Sequence, residues 1–421
     1  MRRLLLALVP LSCLAASPEA VAQDLDATIA DALANAPALA AAKADEAAAK
    51  ARLDRAKAES NPLLRVEGSV GTGRIDNGGF FGITADDTTP LSLQGTAEMP
   101  LYAGGRISAA IDQARGGAKI AGFQTEQTRL QTIVRAIAAY AEVLTARKLD
   151  ERYAQLVNEL AEVERQAGLR FQAGEISNSE LAQAKARKAE ADAGKAHAEG
   201  RLASAESAFE RLTGKPAGDL APLPDLPRTP PTLDEALDLA RASNPSLRQA
   251  KAAVDVAKAG VRAAKAEGMP QIGAYAEAAH VRDQFFPDYR ADSYSVGIRG
   301  RWTIFAGGRV ATQTRAANAG LDGSEARLRQ ADQALTGMVI DAWSGLATAN
   351  RMVEATHLQT AAADEALRGR KLESQTGSVP VLAVLDAERE AIAAQAALLE
   401  ANGRRLVAAW QLNALTGNIE Q

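Results

Sequence analysis

Leu101 to Arg106 reads LYAGGR, and a near copy, IFAGGR, occupies Ile304 to Arg309, 203 residues later. In both places an alternating apolar run enters a glycine pair and an alanine-rich, proline-free run leaves it. A glycine pair there is either a phosphate cradle or a corner where a strand becomes a helix. A cradle needs Gly-Lys-Ser/Thr, which both copies lack, so the pairs Gly104-Gly105 and Gly307-Gly308 are expected to be strand-to-helix corners.

The corners belong to a duplication. LDATIADALANAP at Leu25 to Pro37 aligns without gaps to LDEALDLARASNP at Leu233 to Pro245, an offset of 208. From the glycine pairs onward the offset is 203: Tyr140 falls on Trp343, Gly174 on Gly377, and Leu212-Thr213-Gly214 on Leu415-Thr416-Gly417. A repeat this long is a duplicated half-molecule and not a solenoid unit. The halves run 23–213 and 232–421, joined by GKPAGDLAPLPDLPRTPP at 214–231, which holds six of the sixteen prolines and must be extended.

Within each half the prolines delimit the elements. None lies between Pro100 and Pro216, or between Pro287 and Pro380. Leu130, Ile133, Val134, Ile137, Tyr140, Ala141 and Leu144 step by threes and fours, and Leu156, Leu160 and Val163 continue the stripe. A helix from Arg106 to about Arg170 is predicted, on the order of 100 Å long at about 1.5 Å per residue. Arg309 to about Lys371 repeats it. FQAGEISNSE (Phe171 to Glu180) and SQTGSVPVL (Ser374 to Leu382) read as tight helix-to-helix turns. Returning helices come next at about 179–212 and 381–415, the second with heptad-spaced Leu385, Ile392, Leu399 and Leu406. Each half therefore carries a helical hairpin, at about 106–212 and about 309–415.

Ahead of each hairpin the period falls from about 3.6 to 2, which predicts strands at about 62–75, 89–103, 270–282 and 292–306. Leu91, Leu93, Ala97, Met99 and Leu101 share one face, and Ser92, Gln94, Thr96 and Glu98 the other. Tyr294, Val296, Ile298, Trp302 and Ile304 repeat the apolar face. Strands of this length can cross a bilayer when tilted. Four strands cannot close a barrel, and open edges are not tolerated in lipid, so several chains must share one.

Composition narrows the function. A net charge of −4 argues against nucleic acid as a partner. Arg2, Arg3, the apolar run Leu4 to Leu14 and Ala20-Val21-Ala22 predict a signal peptide over 1–22. Cys13, the only cysteine, lies inside it in a context that fits a lipoprotein signal poorly. The three histidines are dispersed, and no nucleophile or metal-ligand motif is present, so neither an enzyme nor a cofactor is expected.

The helix-N-P openings at Ala36-Pro37 and Asn244-Pro245, the two AGGR corners, RFQAG at Arg170 to Gly174, VLDAER at Val384 to Arg389 and the paired LTG endings occur in order across the mature chain. In this the sequence resembles the TolC family of outer-membrane efflux and export proteins. The resemblance implies a mainly α fold with a membrane β-barrel: a homotrimer whose twelve-stranded barrel in outer-membrane lipid continues into a twelve-helix barrel crossing the periplasm. The linker would join an equatorial belt. The hairpin turns would form the periplasmic tip, with Arg170, Gly174, Gly377 and Ser378 meeting a periplasmic adaptor attached to an inner-membrane ABC or proton-driven transporter. Aligned on Gly377, the family's second tip acid is Asp386, a pore-ring candidate. The first acid position is Ala383, the arginine position Val379 and the latch tyrosine position Ser374, so three polar features are absent. Ser179 and Glu180 stand where the family has latch partners.

The implied activity is passive conduction from an inner-membrane pump, with VLDAER and the un-lipidated start favouring type I protein secretion. Small-molecule or drug efflux by a proton-driven pump is the alternative client. A soluble periplasmic coiled-coil adaptor is the alternative class; it accounts for the hairpins but not for the strands.

Overall fold

A computed structural model describes residues 23–76, 85–285, 288–376 and 378–417. The expected signal peptide, most of the segment between the first two predicted strands, and Gly377 lie outside them.

Each half begins with two short helices split by proline. They are α1 (Leu25–Asn35) and α2 (Pro37–Ala58) in the first half, and α5 (Leu233–Ser243) and α6 (Pro245–Ala266) in the second. Side chains cap the starts of α1, α5 and α6. Asp24 accepts from Ala27 N at 2.8 Å, Thr232 from Glu235 N at 3.3 Å, and Asn244 from Ser246 N at 3.0 Å. Pro245 sits where its missing N–H has no helical partner to lose.

The long hairpins are α3 (Arg106–Gln172) with α4 (Asn178–Thr213), and α7 (Arg309–Gln375) with α8 (Val381–Thr416). Both long helices have 67 residues and both returning helices 36, as a faithful duplication requires. The strands are β1 (Leu63–Val70), β2 (Gly73–Asp76), β3 (Ala85–Thr88), β4 (Leu91–Tyr102), β5 (Gln271–Arg282) and β6 (Arg290–Arg301). Two differ from the periodicity. The first predicted strand breaks at Gly71, and the residues after the break pair as a separate β2–β3 ribbon. The last ends at Arg301, so Trp302 and Ile304 lie beyond it, and the Trp302 indole donates to Gly268 O at 3.2 Å.

The described chain divides into two compact units, and each draws on both halves. The first comprises Met1–Ala36 (described from Gln23), Thr132–Arg228 and Gly345–Gln411. Its core is the seam read from the sequence: Ile133, Ile137, Tyr140, Leu156 and Leu160 of α3, with Leu385 and Leu406 of α8. α4 contributes alanine at every seventh position, Ala184, Ala191, Ala198 and Ala205, which lets a neighbouring helix approach closely. Tyr140 is fully buried, and its hydroxyl donates to Ala221 O at 2.6 Å, tying the proline-rich linker to α3.

The second unit comprises Pro37–Gln131, Thr229–Ser344 and Leu412–Gln421. It holds the four-stranded antiparallel sheet, in the order β1-β4-β5-β6. Beneath the sheet α3 crosses α6 so closely that a Cβ on Gly116 would stand 2.3 Å from Val256 Cγ2.

The LTG endings acquire a purpose in this packing. Gly214 (φ +74°) and Gly417 (φ +71°) terminate the two returning helices in the left-handed region. Each lies against the end of its own half's first short helix. Asn35 donates to Arg211 O and Leu212 O at 3.4 Å, and Ser243 Oγ to Thr416 O at 2.6 Å. A Cβ on Gly214 would meet Asn35 at 2.9 Å, and one on Gly417 would meet Ser243 at 2.5 Å.

Candidate channel wall and hairpin ends

The sheet has two chemically opposite faces. Pairing aligns Leu64 with Ala97, Ala97 with Ala276, and Ala276 with Val296. Adjacent rows on the same face hold Val66, Leu93, Met99, Ala274, Ala278, Tyr294 and Ile298. This face is apolar and open: Tyr294, Val296 and Ile298 are 91, 81 and 71 % exposed. An antiparallel sheet in water turns its polar face outward. A continuous exposed apolar face needs another apolar phase to cover it.

The other face is polar. Arg65, Thr96, Glu277 and Ser295 form one row, and Glu98, Tyr275 and Gly297 another. Arg299 reaches Glu277 Oε1 at 2.9 Å and stacks 4.3 Å from the centre of the Tyr275 ring. That ring lies over Gly297, where a Cβ would stand 3.1 Å from it. The apolar band ends at one side in His280 and Asp292, joined at 2.6 Å, and at the other near exposed Tyr102, Trp302 and Phe305. Polar caps and flanking aromatics are the borders expected of a lipid-facing strand wall. Strands β1 and β6 are the outer strands of the sheet.

The two corners take the same backbone path. Gly104 and Gly105 have φ of +59° and +88°, Gly307 and Gly308 +58° and +81°. Arg106 N donates to Ala103 O at 2.9 Å and Arg309 N to Ala306 O at 3.1 Å, closing each turn as the helix begins.

In the first unit the hairpin ends are likewise built alike. Gly174 (φ +74°) ends α3, and Glu175 N donates back to Arg170 O at 2.9 Å. Ser378 N donates to Glu373 O at 2.9 Å at the matching place, and Ser378 Oγ is 2.9 Å from Thr376 Oγ1. The Arg170 side chain pairs with Glu175 at 3.2 Å. Gly377 lies outside the described residues. Glu180 closes a reciprocal capping box with Ser177, accepting from its N at 2.8 Å and its Oγ at 3.1 Å. Those bonds hold the Glu180 carboxyl below the usual carboxylate range. Ser179 is exposed in the first turn of α4.

Asp386 does not stand alone. Its Oδ1 lies 3.0 Å from Arg187 Nη2 of α4. Within VLDAER every charged residue meets another helix: Asp386 meets Arg187, Glu388 meets Lys371 of α7 at 3.2 Å, and Arg389 meets Glu190 of α4 at 3.2 Å. Arg187 also reaches Glu190 at 2.9 Å, and its two arginine partners depress the Glu190 carboxyl. The apolar side of this contact is Leu156, Leu160, Ala191 and Leu385. Sequence reading picked out Asp386 and missed Arg187, Glu190 and Lys371. On their own helices these are ordinary solvated charges, and only VLDAER hinted at a constrained stretch.

Higher in the same unit Arg201 of α4 bridges Glu142 of α3 at 2.7 Å and Glu400 of α8 at 2.6 Å. The hydrogen bond to Glu142, more than any other influence, raises the arginine's affinity for its proton. Among the described residues no cluster of His, Cys, Asp and Glu suits a metal ion, and no helix is long and apolar enough to cross a membrane.

Known proteins share this architecture. The sequence profile described as "Outer membrane efflux protein" matches residues 28–215 and 236–418, both halves of the duplication. The outer membrane efflux protein BepC of Brucella suis biovar 1 (strain 1330) is 28 % identical over 289 residues, covering 68 % of this chain and 63 % of BepC. The alkaline protease secretion protein AprF of Pseudomonas aeruginosa is 30 % identical over 219 residues, covering 49 % of this chain and 46 % of AprF. The match thus spans less than two thirds of either relative's length. In structure the chain resembles CusC, solved in a study of folding and transmembrane channel formation, with a TM-score of 0.80, 21 % identity, and coverage of 94 % of this chain and 92 % of CusC. With the profile matching nearly the whole described chain, the protein belongs to the outer membrane efflux protein family, a non-enzymatic family of that membrane.

Proposed function

We propose that three copies of this chain close into one channel-tunnel, the exit duct of a tripartite export system. The observation that carries this reading is the open four-stranded sheet with an exposed apolar face. Unpaired strand edges are not viable in lipid, and β6 of one copy pairing with β1 of the next removes every edge. Three copies give a barrel of twelve strands, its apolar faces to lipid and the Arg299–Glu277–Tyr275 rows to water. The paired hairpins supply twelve helices for a periplasmic tunnel. Conduction is passive, with energy from an inner-membrane ABC or proton-driven transporter joined through a periplasmic adaptor. Arg170, Gly174, Gly377 and Ser378 are the proposed adaptor contacts.

At the narrow end Asp386 is proposed to ring the pore, once per copy, attracting cations. Its ion pair with Arg187 supports a dual state: paired at rest, and free to face the lumen when the hairpins part. Ser179 and Glu180 remain proposed tip residues, with the capping box as their resting arrangement.

For the client, a secreted protein is the reading we favour, on the likeness to AprF and on VLDAER. The likeness to BepC, named as an efflux protein, favours small molecules as the second reading. Deleting the gene separates them: loss of an exported protein from the medium supports the first, and raised sensitivity to toxic compounds alone supports the second. For the duct itself, detergent-extracted outer membrane is expected to yield a trimer that conducts in planar bilayers. Recovery as a soluble monomer would overturn the reading. Asp386→Ala is expected to lower cation selectivity several-fold; unchanged selectivity removes Asp386 from the pore ring and leaves the duct standing.

A further inference from the structure

Cations are not scattered over the apolar face of the sheet. Alternation places the even-numbered residues of β5 and β6 on that face, from Ile272 to Arg282 and from Arg290 to Ile298. Among the described residues of the four strands, its arginines are Arg282 and Arg290, and the register sets them directly opposite each other. The sheet's other arginines, Arg65, Arg299 and Arg301, fall by the same alternation on the polar face. The paired row lies at the end of the sheet remote from the corners. It stands one row, about 7 Å, beyond His280 and Asp292, and two rows beyond exposed Tyr294. The opposite border of this face ends in exposed Ile272, Ile298 and Tyr102.

Like charges directly opposite each other weaken a strand pair. The neighbouring acids do not offset these two. Asp292 is taken by His280 at 2.6 Å. Asp283 is buried, its Oδ1 accepting from Asp288 N at 2.7 Å, and its Oδ2 lies 3.5 Å from Thr89 Oγ1 and 3.6 Å from Arg282 Nε. Asp288 sits in the turn beyond the paired row, at a φ of +64°. Arg282 keeps that one long contact, and exposed Arg290 has no ion pair among the described residues. Two guanidinium forks on strands about 4.8 Å apart suit a phosphate, whose oxygens accept from both at once. Arginine on a lipid-facing strand is costly at mid-depth and tolerated at the border, where headgroups lie.

We propose that Arg282 and Arg290 form a binding site for the phosphate of a membrane lipid, in the leaflet remote from the strand-to-helix corners. The site rests on the reading of the apolar face as lipid-facing. A lipid is favoured over a dissolved anion because the pair opens on the apolar side, away from the polar rows. One molecule can then meet both needs of this surface. Its phosphate neutralises the two arginines, and its chains lie along Leu93, Tyr294 and Val296, which are 50, 91 and 81 % exposed. Bound lipid would also relieve the repulsion between β5 and β6 at the end of their ladder.

Native mass spectrometry of the full-length protein, extracted and delipidated in detergent, tests the site with three probes. They are lipid A, a phosphorylated glycolipid; the same lipid stripped of its phosphates; and inorganic phosphate. Lipid A is expected to bind wild type at a concentration at least about tenfold below that required by the double variant Arg282→Gln/Arg290→Gln, which loses two charge-assisted contacts at a salt-screened surface. Stripped lipid should bind wild type no better than lipid A binds the double variant. Inorganic phosphate in large excess should leave lipid A in place. Arg282→Lys/Arg290→Lys keeps both charges and should recover most of the affinity. Arg65→Gln removes a cation from the polar face and should bind lipid A as wild type does. Equal binding of lipid A by wild type and the double glutamine variant would overturn the site, as would equal binding of the two lipids or an equally large loss in Arg65→Gln. Displacement of lipid A by inorganic phosphate would assign the arginines to a dissolved anion and overturn the lipid. Conductance is read separately on the same preparations. A conducting trimer whose lipid binding ignores the arginines removes the site and leaves the duct, whereas arginine-dependent lipid binding without conductance removes the duct and leaves the site.

Discussion

The two strand-to-helix corners have one backbone and two environments. All four glycines sit at positive φ, within a few degrees of their counterparts. Yet a Cβ on Gly104 would stand 2.3 Å from Met269 Cβ, whereas one on Gly307 would meet nothing within 4 Å. Duplication copied the local instruction. The folded chain then used one corner as a packed joint beneath the sheet and left the other open, beside exposed Ile304 and Phe305. Conformational need and steric need are thus separable causes of the same residue.

The largest expected effect is at these corners. Gly104→Ala meets a left-handed backbone, about 1–2 kcal/mol, together with overlap on Met269, typically about 1–3 kcal/mol. Gly307→Ala meets the first alone. Thermal melting of the purified protein should place Gly104→Ala well below Gly307→Ala. Adding Met269→Gly to Gly104→Ala removes the overlap and should return part of the difference. Equal losses at the two corners would mean that backbone strain is the whole story.

A second pair of equivalent positions, Tyr140 and Trp343, sharpens the contrast. Tyr140 is fully buried with a bonded hydroxyl, whereas Trp343 is only half-buried. Tyr140→Phe strands the carbonyl of Ala221 and should cost about 1–2 kcal/mol, against a smaller loss for Trp343→Phe. Burial pushes the Tyr140 hydroxyl up to about 12 from its ordinary 10. The folded state then keeps a proton that the unfolded state gives up, so its stabilisation is intact below pH 10 and is lost as pH rises towards 12. Denaturant titrations across that window should show a steeper loss in wild type than in Tyr140→Phe.

The smallest effect belongs to the hairpin ends. α4 opens with the Ser177–Glu180 capping box, whereas α8 opens behind Pro380. Ser177→Ala should cost about 1 kcal/mol, seen as faster hydrogen exchange confined to the first turn of α4. Exchange that spreads into α8 would mean that the two hairpin ends are mechanically coupled.

Legibility tracked the range of the interaction. The 67-residue helices were readable because a proline-free stripe at helical spacing leaves little alternative, and their ends because glycine and proline act on their own backbone. The β2–β3 ribbon was not readable: four residues per strand leave no alternation to count. The end of β6 at Arg301 was missed because apolar spacing continues through Trp302 and Ile304 after pairing with β5 has stopped. At the candidate site Asp386 was visible through its motif, but its partner Arg187 lies on another helix, about 200 residues away in sequence.

By itself the sequence determined the period of each segment, the sites of positive φ and the fact of duplication, because these depend on neighbouring residues and on chain chirality. Only the tertiary structure decided that β4 of one half pairs with β5 of the other, and that each compact unit takes pieces from both halves. It also decided which of two equivalent glycines is packed and which charges meet across helices. Those outcomes depend on which distant surfaces fit together, and a repeat that specifies two similar halves leaves their mutual fit unspecified.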